Sequence, residues 1–223
     1  LDQHDYSAAE GYLRRLVRLQ PDSKVGKLLL GVACVELGFY QEAIDTLSSI
    51  LSVSPDPAAL HHQIGRCFAA LHRYAEAFAE YQQALNYTPD HVDVLCSLGL
   101  LFTDINQVTK ARDCFLQALG VKPDDLGIIS NLGRIYKRIG QADLSLEWFE
   151  RGVQLQPDHP DAVSNYLNSL NYIEGISPTF VAARYKQYAP QAFAPRATWQ
   201  RPKPQRHDLP IRIGYISADL YSH

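Results

Sequence analysis

Residues Ala58–His91 read AALHHQIGRCFAALHRYAEAFAEYQQALNYTPDH, and this 34-residue pattern returns in phase on both sides of itself. Pro21, Pro55, Pro89, Pro123 and Pro157 stand 34 residues apart, and Gly31, Gly65, Gly99 and Gly133 keep the same step. Self-similarity at a fixed period decides the architecture before any local signal does. Within the unit, Ile64-Gly65 sits midway along a first helix, where a glycine lets a second helix come close. Ala77, Tyr81 and Ala84 follow at i, i+4 and i+7, one stripe of a second helix. Pro89 then stops that helix. Each unit is a helical hairpin that cannot cover its own apolar stripe, so neighbouring units must stack.

This repeat resembles the tetratricopeptide repeat. The resemblance implies an all-α fold, a right-handed superhelical array of tetratricopeptide helical hairpins with a C-terminal linker and one orphan strand. Residues 1–23 read as the second helix of an incomplete repeat, with Ala9, Leu13, Leu16 and Pro21 at the places of Ala77, Tyr81, Ala84 and Pro89. Residues 24–159 hold four complete repeats, 24–57, 58–91, 92–125 and 126–159. The first of these is the weakest, with Ile50 at the second alanine place. Residues 160–189 read as a partial repeat and capping helices, the last opening at Ser177-Pro178 with serine as N-cap and proline in the first turn. Residues 190–210 carry five prolines and read as an extended linker. Residues 211–223 begin with a β-branched run bounded by Pro210, a strand and turn. A lone strand cannot satisfy its backbone. It is therefore the first strand of a domain not included in the chain, or a disordered tail.

Bulk properties exclude several classes. A formal net charge of −3 argues against a nucleic-acid binder, which is usually basic. No apolar run approaches the ~18 residues of a membrane span, and no signal-peptide pattern opens the chain. Cys34, Cys67, Cys96 and Cys114 form no CxxC pair and have no histidine at zinc-finger spacing. Buried, reduced thiols spread over three repeats suit the cytoplasm. No metal cluster, glycine-rich phosphate loop or nucleophile–base set occurs in residues 1–210, so no cofactor is expected for this chain.

In such an array the inner face comes mainly from the first helices. The sixth repeat position reads Leu29, Gln63, Ser97, Asn131 and Asn165. Three residues on, the same face carries Val32, Arg66, Leu100, Arg134 and Asn168. Asparagine offers a donor and an acceptor, so it can grip a peptide backbone without reading its sequence. Gln63, Arg66, Asn131, Arg134, Asn165 and Asn168 are therefore the candidate residues for binding protein or peptide acceptors in the concave groove. A clamp for a terminal carboxylate would need a lysine and an asparagine where Leu28 and Val32 stand, so that mode is not expected. The N-terminal helix repeats Tyr6, Ala9, Leu13 and Leu16 at helical spacing with its partner helix missing. That surface points to contacts beyond the chain, a homo-oligomer among them.

Ile211–His223 reads IRIGYISADLYSH. Arg212, Gly214, Tyr215, Ser217, Asp219 and His223 resemble, at matching spacing, the opening of the catalytic region of tetratricopeptide-linked glycosyltransferases, the O-GlcNAc transferases and SPINDLY-type O-fucosyltransferases. The segment from Asn165 to Pro190 resembles the junction in bacterial members. The resemblance implies a parent protein O-glycosyltransferase with a nucleotide-sugar donor, UDP-GlcNAc or GDP-fucose. It also implies that His223 is the active-site histidine, a role suited to a side chain titrating near neutrality. The array would then present protein acceptors, Asn131 and Asn165 matching the family's asparagine ladder and Leu29 departing from it. The other reading is a non-catalytic tetratricopeptide adaptor.

Overall fold

A computed structural model describes residues 3–192. The expected linker beyond Ala192, the strand and His223 lie outside the described residues. Among the described residues the fold is all-helical, an array of stacked hairpins. Helix α1 (Gln3–Leu19) is followed by the pairs α2 (Lys24–Glu36) and α3 (Tyr40–Ser48), α4 (Pro57–Ala70) and α5 (Tyr74–Tyr87), α6 (Val92–Asp104) and α7 (Val108–Val121), and α8 (Leu126–Arg138) and α9 (Ala142–Leu155). Then come α10 (Pro160–Leu170) and α11 (Pro178–Ala192). Within each pair the helices pack on one another, and α3, α5, α7 and α9 each hand over to the first helix of the next unit.

The phased glycines explain how each hairpin closes. A Cβ on Gly65 would lie 2.6 Å from Cε1 of Tyr81, and one on Gly133 would lie 2.5 Å from Cε1 of Phe149. Gly99 stands against Phe115 in the same way, and Gly31 against Leu47. The large side chain of the second helix thus occupies the space that a first-helix side chain would fill, and Tyr81, Phe115 and Phe149 are buried as a result. Ala77, Ala84, Ala111 and Ala118 are wholly buried around them. Where the frame has Ser145 instead of alanine, its hydroxyl donates to the Gly133 carbonyl at 2.9 Å, so the buried polar group is satisfied. Where it has Ile50, helix α3 ends early at Ser48 and the chain continues as a short 3-10 turn, Leu51–Val53.

Hairpin turns share a device that composition hides. Gly38, His72, Asn106 and Gly140, the same position of each repeat, all have positive φ. The residue after each donates to a carbonyl five residues back, as Arg73 N–H does to Phe68 at 2.8 Å and Gln107 N–H does to Phe102 at 2.7 Å. This closure satisfies the last carbonyls of the first helix. Side-chain caps start α2, α4 and α8: Ser23, Asp56 and Asp125 accept from Gly26, Ala59 and Ile128 N–H at 3.0–3.1 Å.

At the N-terminal end, α1 packs on α2, and its Arg14 ties Glu42 of α3 at 2.5 Å as well as Glu10 on its own helix. Ala9, Leu13 and Leu16 are only partly buried, whereas their counterparts Ala77, Tyr81 and Ala84 are closed off. Tyr12 and Leu19 are strongly exposed. At the other end, Ile176, Val181 and Tyr188 pack on the last core cluster around Tyr166 and Leu170. Helix α11 runs on to Ala192, past Pro190 where the sequence suggests a linker.

Candidate inner-face binding strip

The first helices place the predicted residues at one repeat position each. Asn131 and Arg134 on α8 and Asn165 on α10 meet in a hollow of about 710 Å³. Most of its remaining lining comes in pairs one repeat apart, Asp125 with His159, Gly127 with Asp161 and Ser130 with Ser164, and Leu126 and Gln156 complete it. A second hollow of about 350 Å³ lies on the other side of the Asn131–Arg134 pair, with Leu100, Phe115, Ile135 and Arg138 among its walls. Asn168 lines neither hollow; its amide nitrogen points back to Ser164 Oγ at 3.4 Å. Gln63 and Arg66 lie on α4, away from both. His223 lies outside the described residues.

Local hydrogen bonds decide what these side chains have left to offer. Arg134 donates to Asn131 Oδ1, and Arg66 donates to Gln63 Oε1 at 3.0 Å, the same i, i+3 relation in alternate repeats. With one lone pair of the oxygen taken, each amide is oriented with its NH₂ still to donate, a donor suited to a peptide carbonyl. Arg138 reaches across to the previous repeat, donating to Thr103 O at 3.1 Å and Asn106 Oδ1 at 3.0 Å. Arg66 makes a looser link of 4.0 Å to Glu36. In the middle repeat the strip is closed differently: Ser97 Oγ lies 2.8 Å from Nε2 of the buried His62. Ser97 is therefore committed to its neighbour and offers less than Asn131.

His62 sits between repeats, its ring 5.6 Å from that of His91 and 6.0 Å from that of Tyr81. Burial, then the nearby His91 and Arg66, hold its pKa down to about 4, against a weaker opposing pull from Asp93. Beside it, His61 Nδ1 meets Glu80 at 2.7 Å and its ring stacks on Tyr87. Neither histidine was singled out by the sequence, because their places hold unrelated residues in the other repeats. The serine pair Ser130/Ser164 was also missed, although its repeat spacing could have flagged it.

The thiols carry no chemistry of their own here. Cys34 and Cys67 are buried and Cys96 and Cys114 are half-buried. Burial pushes all four up to about 11, so they stay protonated and weakly nucleophilic at neutral pH. No described helix is long and apolar enough to cross a membrane. Among the described residues no group of three His, Cys, Asp or Glu side chains is placed to hold a metal ion.

Comparison with known proteins follows the repeats. Two family models described as "Tetratricopeptide repeat" match residues 1–64 and, in two copies, residues 92–125 and 127–159. A third, described as "TPR repeat", matches residues 65–105. Among solved structures, MamA from Desulfovibrio magneticus RS-1 is 17% identical with a TM-score of 0.66, over 77% of this chain and 96% of that one. A thermophilic repeat protein from Thermus thermophilus is 20% identical with a TM-score of 0.62, over 74% of this chain and 91% of that one. A repeat protein from Parabacteroides merdae ATCC 43184 is 20% identical with a TM-score of 0.66, over 86% of this chain and 75% of that one. At such identities the likeness shows the fold alone. No curated protein sequence matches the chain.

Proposed function

Because this chain belongs to the tetratricopeptide-repeat proteins, a family of protein-binding scaffolds, we propose that it holds an extended stretch of a partner protein along the strip centred on Asn131 and Asn165. The supporting observation is the convergence of Asn131, Arg134 and Asn165 on one hollow between successive first helices. Asn131 donates to backbone carbonyls there, and Arg134 keeps the amide turned for that role. Each lost hydrogen bond should cost about 0.5–1.5 kcal/mol, and two roughly double that if they act independently. Asn131→Ala combined with Asn165→Ala should weaken binding of a pool of short random-sequence peptides about fivefold or more. The array should stay folded by circular dichroism, since neither side chain belongs to the core. Gln117→Ala on α7, away from the strip, should leave binding as it was. Unchanged binding in a folded double variant would move the site elsewhere.

What the scaffold serves has two readings. The match of IRIGYISADLYSH to the glycosyltransferase pattern supports a parent nucleotide-sugar-dependent protein O-glycosyltransferase, with His223 in its active site and the repeats presenting acceptors. The family models, which match the repeats across residues 1–159, fit a non-catalytic adaptor. On either reading residues 1–223 by themselves should transfer no sugar from UDP-GlcNAc or GDP-fucose, because a nucleotide site needs several strands with their helices. Transfer by the natural gene product, absent from its His223→Ala variant, would decide for the enzyme; no transfer would decide for the adaptor. Self-association through α1 draws support from the exposed Tyr12 and Leu19, and sedimentation at rising concentration tests it.

A further inference from the structure

The two hollows that flank the Asn131–Arg134 pair differ in chemistry. The smaller one is floored by carbon: Phe115 and Ile135 are closed to solvent below it, and Leu100 stands 47% exposed on its wall. Its charged walls are Asp104, Arg134 and Arg138; Arg134 is held by Asn131, and Arg138 is drawn aside by the Thr103 carbonyl and the Asn106 amide oxygen. An exposed leucine over a buried apolar floor gains from being covered by another aliphatic or aromatic side chain, in proportion to the area removed from water.

The larger hollow is polar but not suited to a charge. Its charged side chains are Arg134, Asp125 and Asp161. A carboxylate entering it would face two aspartates, and an ammonium would face the arginine. Asp125 is already engaged in capping α8 and Arg134 in holding Asn131. Asp161 makes no ion pair, but it is exposed to solvent, which screens it. The half-buried neutral groups are Ser130, Ser164 and Asn165, each able to donate and accept, with His159 and Gln156 beside them. A hydroxyl or a carboxamide is the complement of such a set, because it too both donates and accepts.

We infer that the strip selects an extended peptide that places an apolar side chain in the Leu100 hollow and an uncharged hydroxyl or amide side chain in the Ser130–Ser164 hollow. The Asn131–Arg134 pair holds the backbone between them. This rests on the peptide-binding reading above and adds side-chain selectivity to a grip that backbone contacts alone would leave indiscriminate. The residues that set the selectivity are then Leu100 on one side and Ser130 with Ser164 on the other.

Selection from a pool of short random-sequence peptides, followed by sequencing of the retained fraction, tests this. The wild-type chain should enrich peptides in which a Leu, Ile, Val or Phe lies near a Ser, Thr, Asn or Gln. Leu100→Ser should lower the apolar enrichment about tenfold and leave the polar one. Ser130→Ala with Ser164→Ala should lower the polar enrichment about fivefold and leave the apolar one. Leu100 is exposed and the serines lie outside the core, so these variants keep the fold. Enrichment of acidic or basic residues, or preferences unmoved by both variants, overturns the inference while binding that still needs Asn131 and Asn165 leaves the strip standing. If the wild-type chain retains no peptide at all, the strip reading itself falls and this one with it.

Discussion

Gly133→Val should lower the stability of the array by about 3 kcal/mol or more, read as a shift of the urea or thermal midpoint. A Cβ at this place would stand 2.5 Å and 2.7 Å from Cε1 and Cδ1 of Phe149. Those are ring atoms of a side chain only 4% exposed, not the loose end of a flexible chain. Phe149 packs within the cluster that holds Val153, Val163 and Tyr166, so it has nowhere to retreat. The two helices of the hairpin must part instead. Two further methyl groups on a β-branched side chain widen the separation. Helix propensity argues the other way, because leaving a helical glycine for a side chain gains up to ~1 kcal/mol. Gly120, in α7, isolates that term: a Cβ there meets nothing within 4 Å. Gly120→Ala should therefore stabilise by up to about 1 kcal/mol while Gly133→Val destabilises. Both changes acting in the same direction would refute the close-approach account. Because each hairpin touches only its neighbours, the damage should be local, with α8–α11 losing hydrogen-exchange protection before α4–α7. Asn131 and Asn165 sit on that damaged portion, so peptide binding should be lost with it.

The same contact explains how much of the fold could be read beforehand. The glycine, the large residue sixteen positions on and the proline recur in phase, and a strict period leaves few architectures open. Gly31 with Leu47 shows that the partner need not be aromatic, only large. The hairpin turns were less legible. Their left-handed residue is glycine at Gly38 and Gly140 but His72 and Asn106 elsewhere, so no residue type marks the place. His72 tolerates it with its ring nitrogen 2.9 Å from the Tyr74 hydroxyl. Helix α3 ends at Ser48, short of its counterparts, in the repeat where Ile50 replaces the second alanine, and the period alone did not mark that break.

The candidate strip was legible as a row of positions but not as a set of contacts. Repeat phase puts Gln63, Ser97, Asn131 and Asn165 on equivalent turns. It says nothing of which neighbour claims each side chain. Arg134 and Arg66, three residues on, take the amide oxygens of Asn131 and Gln63. Ser97 goes to His62 because repeat two alone has a histidine at that place. Asn168, in phase with Arg134, turns towards Ser164 on its own helix and lines neither hollow.

The His62 contact leads to the second large effect. The array should lose about 3 kcal/mol of stability as pH falls from about 6.5 to 4, in excess of what its carboxylates contribute. In the folded chain burial and the neighbouring His91 and Arg66 hold the His62 pKa near 4, whereas an unfolded histidine titrates near 6.5. Above pH 6.5 both states carry it neutral and it adds no pH dependence. Between 6.5 and about 4 the unfolded chain binds a proton that the folded chain refuses, so unfolding is favoured as pH falls. Below 4 both states are protonated and the term stops growing. At roughly 1.4 kcal/mol per pH step over this window the loss approaches ~3 kcal/mol. His62→Gln keeps a donor for Ser97 and removes the titration. Its stability at neutral pH can differ, so the quantity to compare is the slope of stability against pH. Wild type should fall more steeply than the variant between pH 6.5 and 4, and the two should run parallel above and below. Parallel curves throughout would mean that His62 takes up its proton in the folded chain, and that the His62–Ser97 bond does not seal the two repeats as the geometry implies.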